Sequence, residues 1–391
     1  MSWIKVILAL IVVSIILLSI IEFATSVFFL MKADTQISAV TFVDKSLNKL
    51  GNILNPSHQA EKFDWTALQH KNKHSLEEYR TAAWVRDFQS PNIKYYPFSL
   101  WRSETNFVST NVKTDLEGFR FTPSIEKCEQ TISPINKKEI KIFLFGGSLV
   151  FGDGWLRDKD LLGFKLQCLL TAAYGEPIRI INLGQSGYNL SNSIVVLNQQ
   201  LLKSQVPDYA VFYFGFNEVA HKIYAGAPHM MYDAISKKVF GQRQEDISPI
   251  VNVSQIDKRL EQYFEDLRFS LKYLKNLGEA FDFKTIFIFN PDLFSVSGRH
   301  NVDQELLDRV KNSHPILSKI FKEFHSNKDR KTQGLVESID ACFSNKLNGK
   351  QVFVDIVHLT PKGNAIAAEC VAARIDKGGY FTDRLTSTNR M

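Results

Sequence analysis

From Trp3 to Met31 the chain reads WIKVILALIVVSIILLSIIEFATSVFFLM, an apolar run interrupted only by isolated polar residues, among them Lys5 and Glu22. The run exceeds the roughly 20 residues that span a bilayer. It also outlasts the roughly 7–15 apolar residues of a cleavable leader. Ala24-Thr25-Ser26 resembles a cleavage site, but VFFLM follows it, so residues 1–32 are expected to form an uncleaved transmembrane anchor that contacts the bilayer through residues 3–31. Glu22 is open to two readings, an interfacial or packed carboxyl and a partner contact within the span. Lys5 and Lys32 flank the run evenly, so flanking charge does not orient it.

Residues 33–90 are polar, with short apolar patches at helical spacing such as VTFVDKSLNKLGNIL, and are expected to form a helical stalk. His70 and His74 fall at i,i+4 there. Lys71 and Lys73 separate them and no nearby carboxylate completes a ligand set, so the pair reads as a solvated face. Residues 91–139 carry YYPFSLWRSETNF and TDLEGFRFTPS, rich in aromatics, Pro and Gly, which suggests a small β-rich lead-in packed on the main domain. From Lys141 short apolar runs alternate with longer amphipathic ones. Strands are expected at KIFLFG, IRIINLG, YAVFYFG, KTIFIFN and VFVDIV. Helices are expected between them, one running through QELLDRVKNSHPILSKIFKEF. Near-continuous apolar strands alternating with helices indicate a parallel sheet covered on both faces. The fold class is therefore α/β, a three-layer doubly wound domain with a mostly parallel five-stranded sheet.

Composition changes this picture little. The 391 residues are 45% hydrophobic and 12% aromatic, enough for a large core. The net charge of +6 is mild, and the basic residues are scattered rather than striped, so nucleic acid is not an expected partner. Cys128, Cys168, Cys342 and Cys370 contain no CxxC pair; one or two disulfides are compatible with an exported domain, and no metal site is indicated.

The candidate chemistry lies where apolar runs stop. Ligands of doubly wound sheets bind at the carboxyl ends of the strands. Those ends carry Gly146-Gly147-Ser148, the turn NLGQSGYN with Gly187, GFNE with Asn217, and DIVHLTPKG with Asp355 and His358. A phosphate-binding loop requires a lysine that does not follow Gly152, and GGSLVFG fits neither GxGxxG nor GxSxG. A serine with a histidine base, a carboxylate to orient that histidine, and glycine-turn and asparagine donors for an oxyanion are the parts of acyl transfer.

These four blocks resemble the SGNH, or GDSL-type, serine hydrolases over roughly residues 140 to 375, in a domain bounded at 140–385. Gly147 stands where that family usually has Asp, and Glu218 where Asp usually follows the Asn. The resemblance implies Ser148 as nucleophile, His358 as base and Asp355 as its partner. Backbone N–H groups of Ser148 and Gly187 and the Asn217 amide would form the oxyanion hole, with no cofactor. It extends more loosely to membrane-anchored bacterial members acting on acyl, often acetyl, esters of envelope carbohydrate or lipid. An O-acyltransferase using the same residues is the alternative, and an idle envelope scaffold a third reading. The catalytic domain would then lie outside the cytoplasm with the N-terminus inside. Arg102 and Arg120 are candidates for binding an anionic or sugar substrate. The stretch Tyr224 to Pro249 is a candidate lid or binding loop, and His229 within it reads as incidental rather than catalytic.

Overall fold

The computed structural model describes Leu76, Tyr79 and residues 82–128, 139–224 and 255–379, all within one unit of the chain spanning residues 62–391. The expected anchor, most of the expected stalk with His70 and His74, and all of the Tyr224–Pro249 stretch but its first residue lie outside the described residues. Among the described residues no helix is long and apolar enough to cross a membrane.

A one-turn helix, α1 (Ala83–Arg86), leads into an antiparallel pair, β1 (Ile93–Tyr96) and β2 (Leu100–Ser103). Next come β3 (Ile140–Gly146), α2 (Ser148–Phe151), α3 (Leu162–Tyr174), β4 (Ile178–Asn182), α4 (Leu190–Leu202) and β5 (Tyr209–Phe214). A π-helix occupies Glu218–Tyr224. The rest comprises α5 (Ile256–Phe281), β6 (Lys284–Phe289), α6 (Asn301–Ser313), α7 (Pro315–Thr332), β7 (Glu337–Ser338), α8 (Asp340–Leu347) and α9 (Pro361–Lys377).

The main sheet runs β4-β3-β5-β6-β7 with every pairing parallel. The chain moves one way from β3 to β4, then back across β3 to β5 and onward. With right-handed crossovers this reversal puts α3 on one face and α4 and α5 on the other. Packing agrees: α3 lies on β4 and α9, α5 on β6 and α7, and α4 on β3 and β5. Every residue of β5 is buried, as a strand covered on both faces requires. In register, Phe145 pairs with Phe212 and Phe212 with Phe287. Their rings stack at 4.8 and 5.5 Å across the three strands, and such cross-strand aromatic pairs hold register. The chain reverses direction between β3 and β5, so the crevice at their carboxyl ends is where this topology positions a ligand.

Two sequence expectations need correction. VFVDIV is not a strand: residues 352–357 form an irregular loop closed by a single bridge between Phe353 and Leu359. The fifth strand is the short β7. The loop is fully buried, and a buried apolar run looks alike in a strand and in a buried loop. The helix expected through QELLDRVKNSHPILSKIFKEF is two helices broken at His314. Pro315 opens the second, because a proline disfavours helical backbone in the residue before it and starts a helix well.

Disulfides join Cys128 to Cys168, tying the lead-in to α3, and Cys342 to Cys370, tying α8 to α9. Each closes a loop of the unfolded chain and so stabilises the fold. The second anchors α9, whose first residue lies three positions after His358.

Candidate active site

Strand β3 ends at Gly146, and α2 begins two residues later with Ser148. A β-carbon on Gly147 would lie 2.3 Å from Asn217 Nδ2 and 2.8 Å from the Tyr188 carbonyl oxygen. No side chain fits such an approach, so this position is glycine for lack of space. The same contact brings the loops after β3, β4 and β5 to one point.

After β4 the chain turns through Gln185–Tyr188, with Gly187 at φ +76°, a left-handed conformation that glycine adopts without strain. The lead-in holds this turn from outside. Trp101 Nε1 donates to the Ser186 carbonyl at 2.9 Å, and Tyr188 Oη donates to the Trp101 carbonyl at 2.5 Å. Gln185 accepts from Ser103 N and Oγ at 3.0 and 2.8 Å and donates to the Gly118 carbonyl at 2.6 Å. Asn217 Nδ2 donates to the Tyr188 carbonyl at 2.8 Å, which uses one of its two N–H groups. Beside it, the buried Glu218 carboxylate accepts from Leu190 N at 2.6 Å and Gly215 N at 2.8 Å, joining the start of α4 to the end of β5. Burial pushes this carboxyl up, against Lys222 and the backbone donors, which pull it down.

The last strand-end candidate is a compact loop. Asp355 Oδ1 accepts from Val357 N at 2.8 Å and His358 N at 2.7 Å, while Oδ2 lies 2.6 Å from His358 Nδ1. One carboxylate therefore fixes both the backbone and the ring of the histidine three residues on. Burial alone would lower the histidine pKa, but the charge and hydrogen bond of Asp355, with a further contribution from Asp153, carry it above its ordinary value of 6.5. Burial would raise Asp355, and His358 together with the two backbone donors brings it below its own. The loop closes into α9, with Thr360 as N-cap accepting from Gly363 N and Pro361 at the first turn.

Asp303, in the first turn of α6, backs this loop and is hydrogen-bonded to the Val352 backbone. Burial pushes its carboxyl up to about 7, against Val352 and Arg299, from an ordinary value of 3.8. Between those values the unfolded chain has released a proton that the folded protein still binds. Stability therefore falls as pH rises through this window. Asp303→Asn keeps the acceptor and removes the titration. It should melt a few degrees higher than the parent at pH 8, on the order of 2 kcal/mol, and the difference should vanish near pH 4. Equal melting curves at pH 8 would count against this account.

Gly147, Ser148, Tyr188, Asn217 and Val357, the neighbour of His358, line one crevice at this edge, with Phe214, Phe216 and Asn290. Of the sequence-expected residues, Ser148 and Asn217 line this crevice, Gly187 and His358 are the chain neighbours of its lining residues Tyr188 and Val357, and Asp355 holds the His358 ring. The roomier hollow, lined by Asp208, Lys275, Glu279 and Lys284, sits at the opposite, amino-terminal edge of β5 and β6, away from every candidate nucleophile.

Arg102 and Arg120 do not join them, which corrects the expectation of substrate contact. They are only 1% and 2% exposed. Arg102 pairs with Glu117 at 3.1 Å and lies over the rings of Tyr96 and Phe119. Arg120 pairs with Asp158 at 3.0 Å and donates to the carbonyls of Asn111, Phe151, Gly152 and Leu156. Its donors are committed to holding the loop after Ser148.

Other supports went unmarked in the sequence. Tyr79 Oη donates to the Gly154 carbonyl at 2.6 Å and Trp84 Nε1 to the Trp155 carbonyl at 3.2 Å. Leu76, Tyr79, Ala82 and Val85 pack on Val354, next to Asp355. Aromatic residues just ahead of the lead-in were the available signal. Contacts between distant segments leave no periodicity.

No family model matches the chain, and no curated protein does. Among solved structures the chain is similar to an alpha/beta hydrolase enzyme from the metagenome of Lake Arreo, Spain, at 14% identity and TM-score 0.35, covering 60% of this chain and 94% of that one. It is similar to a variant of an acetyl xylan esterase from Geobacillus stearothermophilus at 17% identity and TM-score 0.35, with the same coverage. A psychrotrophic esterase from Pseudoalteromonas sp. matches at 16% identity and TM-score 0.35, covering 61% and 97%. Likeness of this size leaves the chemistry to be read from the site itself.

Proposed function

We propose that this chain is a serine esterase of the SGNH type that removes short acyl groups, acetyl foremost, from envelope carbohydrate or lipid through an acyl-enzyme. The observation that most supports it is the 2.6 Å contact between Asp355 and His358 beside the crevice lined by Ser148 and Asn217. In this reading His358 Nε2 takes the proton of Ser148 Oγ as that oxygen attacks the ester carbonyl carbon. Asp355 keeps the other ring nitrogen protonated and stabilises the imidazolium. The backbone N–H groups of Ser148 and Gly187 and the second N–H of Asn217 receive the oxyanion. Collapse expels the sugar oxygen, which takes the proton back from His358. Water, activated by the same histidine, then releases the acid and frees Ser148.

Residues 3–31 would tether the enzyme to a membrane with the catalytic domain outside the cytoplasm. The two disulfides support that side, since such bonds persist in oxidising compartments. A fluorophosphonate should label Ser148, and labelling should disappear in Ser148→Ala. Labelling of a different serine would refute the reading. Incubation with acetylated glycan and an unacetylated acceptor then tracks the acetyl group: release as acetate marks an esterase, and appearance on the acceptor marks an O-acyltransferase. Asn217→Ala should keep the labelling yet lose on the order of 10²–10³ in kcat; an unchanged kcat would remove Asn217 from the oxyanion hole.

A further inference from the structure

Asp153 follows Ser148 by five residues, and the reaction proposed above does not use it. Hydrogen bonds hold it on both sides. Gly152 N and Asp153 N both donate to the Ser148 carbonyl, at 2.7 and 2.9 Å. Its carboxylate accepts from Ser186 Oγ at 2.7 Å, and Ser186 directly precedes Gly187. One residue on, Gly154 lies against the histidine loop: a β-carbon there would stand 3.6 Å from Cβ of His358 and 3.4 Å from Val354 Cγ2. Asp153 therefore sits where the nucleophile loop, the Gly187 turn and the histidine loop meet.

We propose that Asp153 is a positioning residue, which fixes the Gly187 turn through Ser186 and supplies a second carboxylate to the His358 imidazolium. This rests on the catalytic reading of Ser148 and His358. When Ser148 attacks, the proton moves to His358 while negative charge grows on the substrate oxygen beside the Gly187 turn. A carboxylate near the ring favours the first event. A rigid turn favours the second, since a donor must already be in place to stabilise developing charge. The charged groups bearing on His358 are Asp355 on its own loop and Asp153 on the nucleophile loop. Those bearing on Asp153 are His358, Arg120 and Asp355. Arg120, hydrogen-bonded to the Phe151 and Gly152 carbonyls under the same loop, partly offsets the repulsion between the two carboxylates. Burial pushes the Asp153 carboxyl up, opposed by His358, Ser186 and Arg120.

The test uses the full chain with ¹³C-labelled histidine, the His358 ring signal being assigned by its loss in His358→Gln. In Asp153→Asn the titration midpoint of His358 should fall by roughly half a pH unit or more, and the acid limb of kcat/KM should move down with it. kcat should drop about tenfold while KM stays within about twofold. Ser186→Ala leaves the carboxyl in place and removes the clamp, so it should lower kcat to a similar extent while moving the acid limb less than Asp153→Asn does. An unmoved His358 midpoint in Asp153→Asn would overturn the electrostatic role. Full kcat in Ser186→Ala would overturn the clamp, including in the event that Asp153→Asn does not fold. Failure of the catalytic reading looks different, as esterase activity that survives Ser148→Ala.

Discussion

Ser148→Ala and His358→Ala should each lower kcat on an acetyl ester by on the order of 10⁵–10⁶, and the double variant should be hardly worse than either. The reason is that nucleophile and base act as one unit. Without the imidazole the hydroxyl is a weak nucleophile, and without the hydroxyl the imidazole has nothing to activate. KM should change little, because neither group supplies ground-state binding in this reading. The remaining rate over water would come from Asn217 and the backbone donors. Initial rates over a range of ester concentration measure the effect. A loss below tenfold in Ser148→Ala would mean that Ser148 only closes a turn, and one in His358→Ala that His358 is not its base.

Asp355→Asn should lower kcat by on the order of 10⁴ and displace the pH profile. An asparagine can still accept from Val357 N and His358 N through its oxygen. Its NH₂ group then faces His358 Nδ1 and donates where the carboxylate accepted, which favours the wrong tautomer of the ring. The pH dependence has a definite sign. In this reading His358 acts as base only when neutral, and its pKa is raised above the ordinary 6.5 because Asp355 and Asp153 outweigh burial. Activity in the parent should therefore fall as pH drops through that raised value, so the acid limb lies above pH 6.5. Removal of the Asp355 charge leaves burial less opposed and moves the limb to lower pH. A limb that stays in place would show that another group controls the profile.

The geometry of this pair explains why the motif was legible. Asp355 and His358 are three residues apart, and the carboxylate binds the histidine through backbone and ring within one loop. An interaction that local appears as a fixed spacing. Ser148 was legible for another reason: its glycines mark the close approach after β3, and steric exclusion restricts residue type. Arg102 and Arg120 misled because a basic residue near an aromatic stretch looks the same whether it faces a substrate or a buried Glu117 or Asp158.

Sequence by itself determined the parallel α/β class, four of the five main strands, the loops after three of them that carry Ser148, Gly187 and Asn217, and the local Asp355–His358 spacing. Hydrophobic periodicity and glycine placement are local, and they survive in one dimension. Tertiary structure alone decided that the buried 352–357 run is a loop and that a two-residue segment completes the sheet. It likewise decided which cysteines pair, and that Gln185, Ser186, Glu218 and Asp153 brace the site. Each of these depends on segments far apart in the chain meeting in space. Burial and hydrogen bonding across such separations come from the fold, and no spacing along the chain encodes them.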